Sequence, residues 1–182
     1  MLPHVPAHAL FELWQAAEAQ QLGTANVGLL TDMICCPGGD YCSLANAKSI
    51  PVAEAIQRRF DDYDYLHDLG ALDINISGCM NACGHHHVGH IGILGVDKKG
   101  EEYYQFTLGG SAENDTTLGE RLGPAIEKHR VTETMDRIVN VYLEQRETHE
   151  RFLDTYRRIG MAPFKQAVYD TTAQPEVSHE NA

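Results

Sequence analysis

Cys36 and Cys42 are separated by Pro37-Gly38-Gly39-Asp40-Tyr41, Cys79 and Cys83 by Met80-Asn81-Ala82, and the fifth cysteine, Cys35, directly precedes the first pair. Two close-spaced pairs of thiols, joined by a fold, can supply the four corners of an iron–sulfur cubane. Gly38, Gly39, Gly78 and Gly84 beside them carry no Cβ, so backbone N–H groups could approach inorganic sulfide. Pro37 stiffens the first loop and removes one donor. If 79–83 forms a helical turn, its two thiols share one face, with Cβ atoms about 5–6 Å apart. Zinc is the competing metal. It favours shorter-spaced cysteine pairs, sometimes with histidine, and His85, His86, His87 and His90 follow Cys83 at once. Spacing alone favours iron–sulfur without excluding zinc. The third reading, small thiols filling a core, suits the unpaired Cys35 and fits the two glycine-flanked pairs poorly.

The elements that must place these residues follow from pattern. Residues 8–22 have helical periodicity, with Leu10, Leu13, Trp14 and Ala17 on one face and Gly23 as the stop. Val27 to Leu30 suggests a short strand leading into the first cysteine loop. A helix is expected from about Pro51 to Leu69, with proline in a tolerated first-turn position and Gly70 ending it. Leu72 to Ser77 alternates strictly, as a half-buried strand does, and delivers the chain into Gly78-Cys79. His90 to Val96 and Glu102 to Leu108 pair across a turn at Asp97-Lys98-Lys99-Gly100. The polar stretch after Gly109-Gly110 is a loop. Thr132 is a candidate N-cap for a helix over 133–146, and a further helix runs from about His149 to Ile159. The order predicts an α+β fold, a mixed sheet with flanking helices and the cysteine loops at strand ends. The expected divisions are a helical tail of a preceding domain over 1–30, the cysteine-bearing domain over 31–165 and a polar, disordered tail over 166–182.

Composition narrows the function classes. With 14 Lys and Arg against 26 Asp and Glu, the formal charge is −12. Phosphate binding needs clustered cations, so nucleic acid is not the expected partner. No apolar run is long enough to span a membrane, and the N-terminus lacks the pattern of a secretory signal. The expected compartment is therefore a reducing one, the cytoplasm, where cysteines serve as metal ligands more often than as disulfides.

The wording around the cysteines goes further than their spacing. Thr31-Asp32-Met33-Ile34-Cys35-Cys36-Pro37-Gly38-Gly39-Asp40-Tyr41-Cys42, Ile76-Ser77-Gly78-Cys79-Met80-Asn81-Ala82-Cys83-Gly84-His85-His86-His87, and His90 to Gly95 followed by Tyr104 to Gly110 resemble the nitrite/sulfite reductase haemoprotein family. The likeness runs from Thr31 to about Phe164 and is greatest to the assimilatory sulfite reductase haemoprotein beta-component. It implies a nitrite/sulfite reductase 4Fe-4S domain-like fold, an oxidoreductase, and a 4Fe–4S cluster held by Cys36, Cys42, Cys79 and Cys83. It also implies a sirohaem whose iron shares the Cys83 thiolate, with Asn81, Gly109 and Gly110 against the macrocycle. Sulfite, or else nitrite, is the implied substrate, sulfite being favoured by the Gly84-to-Gly95 wording. A flavoprotein or ferredoxin is the implied electron donor. Met80 stands where the family commonly has proline. The family's anion-clamping Arg and Lys come from an N-terminal half that has no counterpart in this chain, which is expected to be catalytically incomplete alone.

Other candidates have plainer readings. His85–His87 could supply protons but more commonly bind backbone or cofactor carboxylates. Asp61, Asp62 and Asp64 suit a solvated helix end, and Tyr103, Tyr104 and Phe106 suit packing. Lys98 and Lys99 occupy a hairpin tip, and Arg121 is a possible cofactor contact.

Overall fold

Ile34–Cys35 (β1) and Ile74–Ser77 (β2) lie side by side and parallel, with Cys35 opposite Ile76. Ile91–Lys98 (β3) continues the parallel set beside β2. Glu101–Leu108 (β4) then turns back against β3 through Lys99 and Gly100, whose φ values of 59° and 87° make the positive-φ two-residue turn that suits a hairpin. Two short strands that the pattern did not show, Glu120–Arg121 (β5) and Ile126–Glu127 (β6), pair with opposite ends of β4. The result, in a computed structural model that describes residues 2–170, is one mixed six-stranded sheet with helices packed on it, the α+β class expected.

The helices are Leu10–Ala19 (α1), Ile50–Arg59 (α2), Tyr63–Leu69 (α3), Val131–Gln145 (α4), Phe152–Ile159 (α5) and Ala162–Tyr169 (α6). The single helix expected from Pro51 to Leu69 is two. Phe60 is buried at the end of α2, and the Asp62 carboxylate caps α3 by accepting the Tyr65 N–H at 2.9 Å. Thr132 is not an N-cap, because a 3-10 turn over Lys128–Arg130 runs straight into α4. The start of α5 falls three residues later than expected, where the Asp154 carboxylate accepts the Arg151 backbone N–H at 3.3 Å and the Arg151 Nε–H at 3.0 Å. α6, opened by Pro163, was not anticipated, and it carries order past residue 165, with Val168 buried. The tail from Thr171 lies outside the described residues.

The expected strand at 27–30 is a turn. Gly28 adopts φ 74° and donates its N–H to the Asp32 carboxylate at 2.9 Å. Leu29 and Leu30 nonetheless join the core, so it begins before Thr31. α1 contributes no buried residue, and Trp14 on its expected apolar face is 51% exposed. The core proper lies between the sheet and α2–α6: Ile74, Ile76, Ile91 and Ile93 meet Val52 and Ile56 of α2, Leu66 and Leu69 of α3, and Ile138 and Val139 of α4. Burial of such aliphatic side chains, about 1.5–3 kcal/mol each, holds β1 and β2 in place beneath the cysteine loops. Among the described residues no helix is long and apolar enough to cross a membrane.

Candidate metal centre

Both cysteine loops leave the carboxyl ends of neighbouring parallel strands, the first from β1 and the second from β2. Gly78 joins them. Its N–H donates to Cys36 Sγ at 3.1 Å, and its carbonyl accepts the N–H groups of Asn46 and Ala47 at 2.9 and 3.0 Å. The Cys36 N–H donates to the Ile76 carbonyl at 3.0 Å. Within the first loop the Cys42 N–H reaches the Gly38 carbonyl, and the Gly39 N–H reaches that of Ala47, both at 2.9 Å. The approach requires glycine: a Cβ on Gly78 would stand 2.7 Å from the Ala47 carbonyl oxygen and 2.9 Å from Gly38 Cα. Gly95 on β3 has the same role from below, where a Cβ would meet that of Ala47 at 2.7 Å. Tyr104, fully buried on β4, ties down the loop's exit by donating its hydroxyl to the Lys48 carbonyl at 2.7 Å.

The second loop is not the helical turn that would place both thiols on one face. It is a series of tight turns closed by Ala82 N–H to Cys79 O at 3.1 Å, His85 N–H to Ala82 O at 2.8 Å and Val88 N–H to His85 O at 3.1 Å. Ala82 and His85 take left-handed φ values of 56° and 53°. The loop therefore has an inner and an outer side. Cys79 (8% exposed), Gly84 and His86 are buried, whereas Met80, Asn81, Cys83, His85 and His87 are exposed.

The inner side rests on polar groups of β2. The strand alternates as expected, but both of its faces are buried. Ser77 Oγ accepts the Gly84 N–H at 3.1 Å, and Asn75 Nδ2 donates to the His85 carbonyl at 3.0 Å. In the sequence pattern these two residues are the polar positions of an alternating strand and carry no further mark of their own. The signal lies beside them, since a polar side chain next to a glycine-rich loop can satisfy that loop's backbone. Ser49, at the foot of α2, was missed as well; it is 1% exposed, and its Oγ lies 3.5 Å from Cys36 Sγ.

The histidines divide. His86 is buried against His87, with ring centroids 3.9 Å apart, and its Nδ1 has no hydrogen-bond partner. Burial, then the neighbouring His87, hold its pKa down at about 4, so it is neutral near pH 7. His90 Nδ1 accepts the Asp73 N–H at 3.1 Å, and burial lowers its pKa too. The carbonyl of His87 accepts the Gly119 N–H at 2.7 Å. This segment is thus knitted into the chain largely by its backbone. Burial, with Cys36 adjacent, pushes the Cys35 thiol up to about 11, while its Sγ donates to the Cys36 carbonyl at 3.3 Å. Cys35 is protonated filler beside the site.

Gly109 and Gly110 lie against the histidine segment. A Cβ on Gly110 would meet the carbonyls of Gly89 and His87 at 2.5 and 2.7 Å, and one on Gly109 would strike the Tyr156 ring. The chain's own packing demands both glycines. Beside the first loop Lys48 is paired with Asp40 at 2.9 Å, and on the hairpin Lys98 lies over the Tyr103 ring at 4.3 Å. Arg137, Arg146, Arg151 and Arg158 are paired with Glu133, Asp68, Asp154 and Glu150. Arg121 is exposed on β5. Among the described residues no three His, Cys, Asp or Glu side chains, the four paired cysteines included, converge on one point to hold a metal ion.

The fold is shared with solved structures. The Mycobacterium tuberculosis NirA protein superposes with a TM-score of 0.73 at 23% identity, over 88% of this chain and 31% of that one. Dissimilatory sulfite reductase I superposes at 0.63 and 14% identity, over 81% and 53%. Residues 28–175 match the model of the nitrite and sulphite reductase 4Fe-4S domain, and the chain belongs to that family. Among curated relatives, a protein named sulfite reductase [ferredoxin] 2 from Mycolicibacterium paratuberculosis is 28% identical over 84% of this chain and 29% of its own length. One named sulfite reductase [NADPH] hemoprotein beta-component, from Methylobacterium nodulans, is 25% identical over 88% and 26%. The chain thus spans less than a third of the length of these relatives.

Proposed function

We propose that this chain is the cluster-bearing domain of a sirohaem-dependent sulfite reductase, with Cys36, Cys42, Cys79 and Cys83 as the ligands of a 4Fe–4S cluster and Cys83 as the thiolate shared with the sirohaem iron. The observation that carries the reading is the unequal placement of the second pair: Cys79 is buried and Cys83 exposed on the loop's outer side. A thiolate common to two cofactors has to face out from the domain that holds the first. The donor set fits a cluster. It offers four thiols on two loops joined at Gly78, one already receiving a backbone N–H, with glycine where backbone must come close.

When bound, the paired cofactors supply stepwise electron transfer to an anion, which no side chain here can provide. The chain's own contribution is placement. Gly78 and the β2 side chains Ser77 and Asn75 fix the loops. Asn81 and Met80 offer an exposed rim beside Cys83 for the macrocycle, and Gly109-Gly110 supports the histidine segment behind it. His86 is neutral and His90 is engaged with backbone, so neither serves as a cationic clamp for the anion, and in our reading that clamp is supplied by another part of a longer reductase. The names of the relatives support sulfite as substrate and ferredoxin or NADPH as the source of electrons.

The test is anaerobic reconstitution with iron and sulfide. Four irons and four labile sulfides per chain, with a broad absorption near the visible blue edge, are expected. A colourless protein holding one zinc overturns the reading.

A further inference from the structure

Ser49 occupies the N-cap position of α2, where a serine hydroxyl ordinarily accepts an N–H from the helix's first turn. It does not do so here: no side-chain cap bond is made, although the residue is 1% exposed. A buried hydroxyl without a partner is costly, and the polar group available to it is Cys36 Sγ at 3.5 Å. Two glycines shape the space that holds it. A Cβ on Gly38 would stand 2.6 Å from Ser49 Oγ, and one on Gly78 would stand 2.9 Å from it. The same sulfur receives the Gly78 N–H at 3.1 Å.

We infer that Ser49 is a positioning residue that gives up its helix cap to donate a hydrogen bond to the Cys36 thiolate and thereby raises the reduction potential of the cluster. The inference rests on the proposed cluster ligation. A metal-bound Cys36 has no proton, so only the hydroxyl can donate. Reduction adds one electron to the cluster, and donors to its sulfurs stabilise the more negative, reduced form. Potential is therefore the property that this bond changes, whereas a purely structural serine would leave it alone.

The experiment is a dithionite titration of the reconstituted full chain, followed by electron paramagnetic resonance, on wild type and on Ser49→Ala, Ser49→Thr and Ser49→Val. Iron and labile sulfide are counted first. Ser49→Ala is expected to load like wild type and to shift the one-electron reduction equilibrium about tenfold toward the oxidised cluster, a fall of ~59 mV. Threonine and valine crowd the site equally and differ only in the hydroxyl, so this pair decides if alanine disturbs folding: threonine should lie near wild type and valine with alanine. Equal potentials for wild type and alanine, or for threonine and valine, overturn the proposal while leaving the cluster reading intact. A wild-type chain that takes up zinc and no sulfide overturns both.

Discussion

The backbone N–H of Gly78 points at the sulfur of Cys36, 3.1 Å away, across 42 residues of sequence. The bond exists because β1 and β2 are parallel neighbours that end together, so one loop's first donor meets the other loop's first thiol. Any side chain at 78 would have to enter the space between Ala47 and Gly38, where the nearest atoms are backbone and cannot turn aside.

Gly78→Ala should therefore destabilise the metal-free chain by about 1–3 kcal/mol, the usual cost of overpacking. It should also lower the iron bound on reconstitution. Urea unfolding with and without metal measures both effects. An alanine variant with an unchanged midpoint would mean that the loops are not held at Gly78.

The thiols should also differ in reactivity in the metal-free chain. With its pKa near 11, Cys35 is about one part in three thousand thiolate at pH 7.5. It should be the slowest cysteine to react with iodoacetamide, and its rate should climb about tenfold per pH unit from 7 to 9 without a plateau. Cys83, exposed on the outer side of its loop, should react ahead of the buried Cys79. Peptide mapping after timed quenching gives the order, and early modification of Cys35 would contradict its place in the structure.

How far the sequence was legible depends on the range over which each feature is determined. The β3–β4 hairpin rests on a local turn between two stretches adjacent in sequence, and it forms where the sequence placed it, with Ile91 opposite Leu108. The break after Phe60 was harder to read, because helical periodicity continues across it and the deciding event is burial of Phe60 at a distant core. The double burial of β2 could not be read from alternation alone. Asn75 and Ser77 look solvent-facing until the Gly84–His87 segment folds over them, and that fold depends on left-handed φ at Ala82 and His85, which are not glycines. The four cysteines were plain in the sequence. Their stitching at Gly78 and the diverted Ser49 cap needed the pairing of β1 with β2.

His86 makes the chain acid-sensitive. Its folded pKa of about 4 lies below the ordinary 6.5, so the unfolded chain binds its proton more tightly than the folded one. The stability that the neutral ring contributes is whole above pH 6.5 and is lost as pH falls through 4, on the order of 2–3 kcal/mol. Urea midpoints at pH 7.5, 5.5 and 4 should fall in that order for wild type. For His86→Gln, which cannot take up a proton, the slope should be shallower. Parallel slopes would place the acid sensitivity elsewhere, with His90 the next group to test.

Cys79 and Cys83 give the sharpest separation of packing from ligation. Both replacements remove one thiolate from the proposed set, so both should reduce iron and labile sulfide in the reconstituted chain. Their effects without metal should differ. Cys79 is 8% exposed, and Cys79→Ser puts a hydroxyl among buried neighbours at a cost of about 1–3 kcal/mol. Cys83 is exposed, so Cys83→Ser should leave the metal-free urea midpoint within about 0.5 kcal/mol of wild type. In a longer reductase carrying sirohaem, Cys83→Ser should in addition alter the haem absorption, and more than Cys42→Ser, which removes a ligand that is not shared. A chain whose Cys83→Ser variant keeps full iron and an unchanged haem spectrum would remove Cys83 from the ligand set and with it the coupling of the two cofactors.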